Sequence, residues 1–316
     1  MKVGIVGSGL VGSTCAYAMV MKGVGTEIVL IDKNRNRAQA EAYDISHAVP
    51  FANRIRVTSG EYQNLKGSRV VIVGAGVGQK PGETRLELLK RNEDVFREVI
   101  PSILEHAPDA LLLIVTNPVD VMTHFAWRFA EQHGVPPSKI MGSGTTLDTA
   151  RFRSLLGIHF GVDPHHVHGY VIGEHGDSEV LTWSLLSVGA LPLEEFCRVR
   201  CDVDKEIKET IEYRVKKAAY KIIEGKGATY YGIGGAVSHI VDVILNDYRA
   251  ILTVSAKTPE IEGVTDVTIS LPRLVGGEGI LDTFPPPLDA DEHNELRKSA
   301  LVVKSAIDEL DEAKAS

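Results

Sequence analysis

Three side chains between Leu147 and Asp177 have the types and spacing of a proton-transfer site. Asp148 and Arg151 stand three apart in Leu147-Asp148-Thr149-Ala150-Arg151-Phe152-Arg153, so a helix there puts both on one face, able to address one small ligand together. His175 lies between Gly173 and Gly176 just after the β-rich run Tyr170-Val171-Ile172, where a strand ends and presents a side chain at a cleft. A histidine so placed suits proton transfer near neutral pH, provided a carboxylate fixes its tautomer and steadies its charged form; Asp148 is the candidate. The plainer alternative is a helix-surface ion pair and a histidine that only fills a turn.

The elements that must position these residues follow from the chain in order. Lys2 to Val6 reads as a strand feeding Gly7-Ser8-Gly9-Leu10-Val11-Gly12, followed by helix formers from Ser13 to Met21. A second strand, Glu27 to Ile31, ends in Asp32, 20 residues past Gly12. This is the dinucleotide fingerprint in its required context: one glycine for the tight turn, one for close approach to pyrophosphate, one for helix packing, with the helix N-terminus offering N–H groups to the diphosphate. A carboxylate at Asp32 accepts hydrogen bonds from a ribose and repels a 2′-phosphate, which favours NAD over NADP, although Lys33 and Arg35 stand close by. Asp32 could also cap a helix starting near Asn34.

Strands and helices then alternate. Helices are expected from about Asn36 to Ala48 and from about Leu86 to His106, the latter kinked or broken at Pro101, with a further helix after Pro118. Strands are expected near Ile55 to Thr58, at Val70 to Val73, from Ala110 to Val115 and at Ile140-Met141. That pattern means parallel strands with crossovers, an α/β fold with a doubly wound parallel sheet of Rossmann type. Ligands of such sheets bind beyond the C-terminal ends of the strands, where three polar loops converge on one crevice. The expected cofactor contacts are Gly7, Gly9, Leu10, Val11, Gly12 and Asp32, Gly74 and Ala75, and Thr116 and Asn117. The loop from Gly74 to Arg85 has several glycines able to act as hinges of a lid, a composition equally compatible with a plain surface loop.

Past Leu147 the pattern changes to α+β. Helical stretches are expected at Leu193 to Phe196, Asp204 to Ile223, and from the Gly225–Gly235 segment towards Leu245; strands at Ala250 to Ser255 and Val267 to Leu274 flank a turn at Glu262-Gly263-Val264; a last helix spans about Asp291 to Leu310. The division falls near Gly142 to Thr145, giving an NAD-binding domain over 1–143 and a substrate domain over 144–316.

Composition narrows the functions further. At 44% hydrophobic and 24% charged residues, the 316-residue chain can bury a large core, and a net charge of -8 argues against nucleic acid as a partner. No apolar run approaches the roughly 18 residues of a membrane span. The N-terminus shows no signal-peptide pattern, so a cytoplasmic location is expected. Cys15, Cys197 and Cys201 read as packing residues, and no metal-ligand set stands out, since His165, His166 and His168 lack the spacing of a helical zinc pair.

Taken together, the fingerprint, Thr116-Asn117-Pro118-Val119-Asp120, Leu147-Asp148-Thr149-Ala150-Arg151 and Gly173-Glu174-His175-Gly176-Asp177-Ser178 resemble the L-lactate/malate dehydrogenase family over nearly the full chain, and within it the bacterial L-lactate dehydrogenases. The resemblance implies His175 as acid/base paired with Asp148, Arg151 holding a substrate carboxylate, Arg85 polarising the ketone, Asn117 bonding near the carbonyl and nicotinamide, and Thr229 bordering the side-chain pocket. It implies the reaction pyruvate + NADH + H⁺ ⇌ L-lactate + NAD⁺. Gln79 decides the substrate: malate dehydrogenases are similar in this loop but place arginine there, and a neutral amide leaves a dicarboxylate's second charge unpaired, with Lys80 a partial compensation. The same resemblance implies a homotetramer and, through Arg153 and His168, activation by fructose 1,6-bisphosphate across a two-fold interface. Arg153 is otherwise a solvated helix residue. The other readings are a malate dehydrogenase and a non-catalytic NAD(H)-sensing module, which would have no use for Asp148, Arg151, Arg85 and His175 together.

Overall fold

A computed structural model describes residues 1–78, 80, 82–200 and 203–315. Gln79 and Cys201 lie outside the described residues. Short, almost fully buried apolar strands alternate with helices through the first half: β1 (Lys2–Val6), α1 (Leu10–Lys22), β2 (Glu27–Ile31), α2 (Arg35–Ala48), β3 (Arg56–Ser59), β4 (Ser68–Val73), α3 (Arg85–His106), β5 (Leu111–Ile114), α4 (Val119–Glu131) and β6 (Ile140–Gly142). The near-continuous burial of β1, β2, β4 and β5 is what a sheet covered by helices on both faces requires. The six strands are parallel in the order β3-β2-β1-β4-β5-β6, so the connection reverses direction between β1 and β4 and opens a crevice at their C-terminal ends.

The second half carries α5 (Thr146–Phe160), five two-residue strands β7 (Val167–His168), β8 (Val171–Ile172), β9 (Val180–Leu181), β10 (Ser187–Val188) and β11 (Leu191–Pro192), then α6 (Leu193–Arg200), α7 (Lys205–Lys216), α8 (Ala218–Lys226), α9 (Tyr231–Leu245), β12 (Ala250–Ile261), β13 (Val264–Gly276), β14 (Gly279–Thr283) and α10 (Ala290–Ala315). Its long antiparallel strands continue the first sheet, through a pairing of Ser255 on β12 with Gly142 on β6, into one nine-stranded mixed sheet. Among the described residues no helix is long and apolar enough to cross a membrane.

Several local expectations are corrected. Pro101 lies inside α3 without breaking it. Phe96, Ile100, Ile103 and Leu104 anchor the turns on either side in the core, and that packing outweighs the one backbone bond proline removes. The stretch from Asp204 to Ile223 is two helices, interrupted at Lys217, whose ψ of 5° departs from helical geometry. The helix begun at Leu193 continues to Arg200, and the strands expected at Ala250–Ser255 and Val267–Leu274 extend across polar positions to meet at the Glu262-Gly263 turn.

Candidate active site

The first turn of α5 is held from two sides. Thr149 Oγ1 accepts the backbone N–H of Val171 at 2.9 Å and lies 3.0 Å from Thr253 Oγ1, tying the helix to β8 and β12. Asp148 therefore projects from a fixed turn near a helix N-terminus, where the peptide dipoles favour a carboxylate.

The histidine loop is pinned as firmly. Gly173 adopts φ +91°, the left-handed region glycine favours, and a Cβ there would come within 2.6 Å of Ser299 Oγ. Its backbone exchanges hydrogen bonds with Ser270 on β13 at 2.9 and 3.1 Å. Glu174 N donates to Ser299 Oγ at 2.8 Å, and His175 N donates to Asp120 Oδ2 at 2.7 Å.

These constraints bring the three candidates together. Asp148, only 2% exposed, accepts from Arg151 Nη1 at 2.6 Å on one oxygen and stands 2.5 Å from His175 Nδ1 on the other. The surface ion pair is therefore excluded. Because Nδ1 faces the carboxylate, Nε2 is left for a reacting group, and the guanidinium keeps donors free for a carboxylate ligand. Burial works to lower the proton affinity of His175, but Asp148's charge and hydrogen bond, with Asp120 and Glu179 adding to them, lift it to about 9. Asp148 is under the opposite balance: burial raises it, and His175 and Arg151 together hold it below the ordinary carboxylate value.

Two functional neighbours escaped the sequence reading. Asp120, in the first turn of α4, is fully engaged: Oδ2 accepts from His175 N and Oδ1 from Ser255 Oγ at 2.6 Å, while burial lifts its pKa to about 6. It ties the helix after the Thr116-Asn117 loop to the histidine loop and β12. Glu179 is 3% exposed, and one of its oxygens lies within 4.8 Å of ligand atoms of both Asp148 and His175. Asp120 stood within a quoted motif, and Glu179 one residue past another; only a charged residue opening the apolar pair Val180-Leu181 hinted at it.

The fingerprint residues line a cleft of about 780 Å³ with Gly7, Gly9, Asp32, Gly74 and Ala75 among its walls. They fit a dinucleotide. A Cβ on Gly12 would sit 2.0 Å from Gly7 O and one on Gly7 2.5 Å from Ala75 N, whereas one on Gly9 would meet nothing within 4 Å and would only fill the cleft. Leu10 and Val11 open α1, whose N-cap Gly9 has no side-chain cap, leaving first-turn N–H groups for an anion. Thr116 Oγ1 donates to Ala75 O at 2.7 Å and joins two of the cleft loops, with Asn117 exposed next to it. Asp32 accepts from Ser8 N at 2.7 Å and Asn34 N at 2.8 Å; the cap of α2 is Asn34, so the capping alternative for Asp32 falls.

Other expected residues stand apart from the trio. Arg85 is the first residue of α3 rather than the end of the loop; its side chain is 63% exposed and lies 3.9 Å from the carboxylate of Glu174. Thr229 is half-buried between α8 and α9. Arg153 donates to Gly169 O at 2.9 Å and stacks 5.1 Å over Tyr170, next to the exposed His168, so it is not the freely solvated residue of the plainer reading.

Comparison with known proteins gives the same outline. The lactate/malate dehydrogenase NAD-binding domain matches residues 1–142, and the alpha/beta C-terminal domain of that family matches 145–314. L-Lactate dehydrogenase of Geotalea daltonii is 58% identical over 98% of this chain and 99% of its own, and that of Thermus aquaticus 55% identical over 97% and 98%. Among solved structures, a lactate dehydrogenase from a deep-sea metagenome library superposes with a TM-score of 0.94 at 38% identity, covering 98% of each chain. With both halves matched and the relatives aligned end to end, the chain belongs to the lactate/malate dehydrogenase family.

Proposed function

We propose that the chain is an NAD-dependent L-lactate dehydrogenase that interconverts pyruvate and L-lactate. The carrying observation is the buried carboxylate of Asp148 shared between His175 at 2.5 Å and Arg151 at 2.6 Å. NAD, when bound, supplies the hydride chemistry.

The chain's own residues do the rest. Arg151 offers a planar donor fork to the substrate carboxylate, which a lysine would not reproduce. His175 Nε2 gives its proton to the carbonyl oxygen in the reductive direction and takes it back in the oxidative one, with Asp148 stabilising the imidazolium. Arg85, the first residue of α3, stabilises charge on the reacting oxygen. Asn117 bonds near the carbonyl, Thr229 borders the methyl group, and Gly7, Gly9, Leu10, Val11, Gly12, Asp32, Gly74, Ala75 and Thr116 hold the cofactor. The division of labour falls at 143/144.

Gln79 favours pyruvate over oxaloacetate because a neutral amide leaves a second substrate carboxylate without a counter-charge. Fructose 1,6-bisphosphate activation through Arg153 and His168 is supported by their proximity through Gly169. A homotetramer is supported by large apolar side chains left exposed, Phe51 at 89%, Ile158 at 72% and Tyr231 at 71% among them. A cytoplasmic location is supported by Cys15, a buried free thiol. The test is a side-by-side rate comparison of pyruvate and oxaloacetate with NADH, each with and without fructose 1,6-bisphosphate. Faster pyruvate turnover supports the reading, faster oxaloacetate turnover replaces it with the malate alternative, and superimposable curves with and without the sugar bisphosphate remove the activator.

A further inference from the structure

The roles assigned above leave one buried acid unused. Glu179 lies in the turn that leads from the histidine loop into β9, with its backbone N–H on Gly176 O at 3.2 Å, and its side chain is 3% exposed. Its Oε1 is buried and has no hydrogen-bond partner. The charged groups that act on it are Asp148 and Arg151 from α5, His175 from its own loop and Lys216 from α7; α10 also packs on β9, and the charge of its Glu295 interacts with the same Lys216. The Arg151 guanidinium already donates to Asp148.

We propose that Glu179 is a positioning residue of the dehydrogenase reaction: a neutral carboxylic acid packed against the Asp148–His175 pair that leaves Asp148 as the dominant anion facing the imidazole. This rests on the pyruvate/lactate reading above. The geometry allows little else. An ionised carboxylate at this depth would hold its charge out of water with one oxygen lacking any hydrogen bond and the Asp148 anion beside it, and such a group keeps its proton instead. Burial first, then the charge of Asp148, push Glu179 up to about 9 against the opposing pull of His175, Lys216 and Arg151.

Two consequences follow for the site. A second anion beside His175 would hold the imidazole protonated and oppose lactate oxidation, in which it must accept a proton. The same anion would repel a substrate carboxylate seated on Arg151. Keeping Glu179 neutral avoids both and leaves the charge and hydrogen bond of Asp148 as the larger part of the lift of His175, with Asp120 next. Above about pH 9 the acid ionises, and alkaline loss of pyruvate reduction then reports two coupled groups rather than one.

The test pairs the intact enzyme with E179Q. At pH 7 the neutral isostere is expected to keep kcat/KM for pyruvate within about twofold of the parent, while the alkaline limb becomes that of a single ionisation. If Glu179 is ionised at neutral pH, removing its charge lowers the kinetic pKa assigned to His175 and costs about tenfold or more in kcat/KM near pH 8, which overturns the proposal. Infrared spectroscopy of the parent enzyme supplies an independent reading that needs neither turnover nor a folded variant. A buried protonated carboxyl band at pH 7 that disappears above about pH 9 and is missing from E179Q supports the assignment; with an E179Q that does not fold, the parent's pH-dependent band carries the test alone. No such band in the parent refutes it. Because the band does not depend on the substrate, a failure to turn over pyruvate would count against the functional reading and not against Glu179.

Discussion

Replacing Asp148 by asparagine removes the anion that steadies His175 while keeping the size of the side chain. The imidazole stands at about 9 against an ordinary value of 6.5, with Asp148 the first of the groups that raise it. Returning it to the ordinary value is worth about 3 kcal/mol of proton affinity. Pyruvate reduction needs the protonated imidazole, so the sign is set: the parent holds its activity as pH rises until about 9, and D148N loses it through about 6.5. The protonated fraction then falls about fourfold at pH 7 and about thirtyfold at pH 8. In the variant, burial and the unpaired Arg151 still work against the imidazolium, while the Asp120 charge still supports it. The assay is the pH profile of kcat/KM for pyruvate at saturating NADH, from pH 5.5 to 10. A variant profile with the parent's alkaline midpoint would refute the reasoning, whatever its height. Lactate oxidation needs the neutral imidazole and should show the opposite dependence, rising towards pH 9 in the parent and saturating earlier in D148N.

Three further outcomes are expected. Arg151→Lys keeps a positive charge but loses the planar fork, so KM for pyruvate should rise by about one to two orders of magnitude, the worth of one charge-assisted hydrogen bond, with NADH affinity unchanged; an unaltered KM would mean that Arg151 does not hold the substrate. Asp32→Ser removes both a ribose acceptor and the repulsion of a 2′-phosphate, so fluorescence titration should show NADH binding weakened about tenfold and the NADPH/NADH preference raised, whereas an unchanged ratio tells against Asp32 as the discriminating acid. Gln79→Arg should raise the oxaloacetate/pyruvate turnover ratio by supplying a counter-charge, and a constant ratio would count against the substrate assignment.

How far the sequence alone could lead depended on the range of the forces involved. The glycine loop was legible because its requirements are local: Gly12 admits no side chain against Gly7 O, and Asp32 ends the adjoining strand. Asp148, Arg151 and His175 were legible because helix spacing and a glycine-flanked turn fix which way each projects. Asp120 was not, since its partners His175 and Ser255 are 55 and 135 residues away and only the tertiary fold brings them together. Glu179 failed for a different reason: four residues from His175 in sequence, its character is set by burial, which no local pattern records. The ends of β12 and β13 hid behind Lys257, Glu260 and Asp266, polar residues tolerated because each strand has a neighbour to pair with. The break between α7 and α8 was invisible in a run of good helix formers.

The central claim is that the imidazole of His175 moves the substrate's proton while other residues bind the cofactor. The most direct measurement compares His175→Asn with the parent for both pyruvate turnover and NADH binding. The account predicts a fall in kcat of at least about two orders of magnitude with the NADH dissociation constant within a fewfold of the parent. Equal losses in turnover and cofactor affinity, or a kcat that survives the substitution, would contradict it.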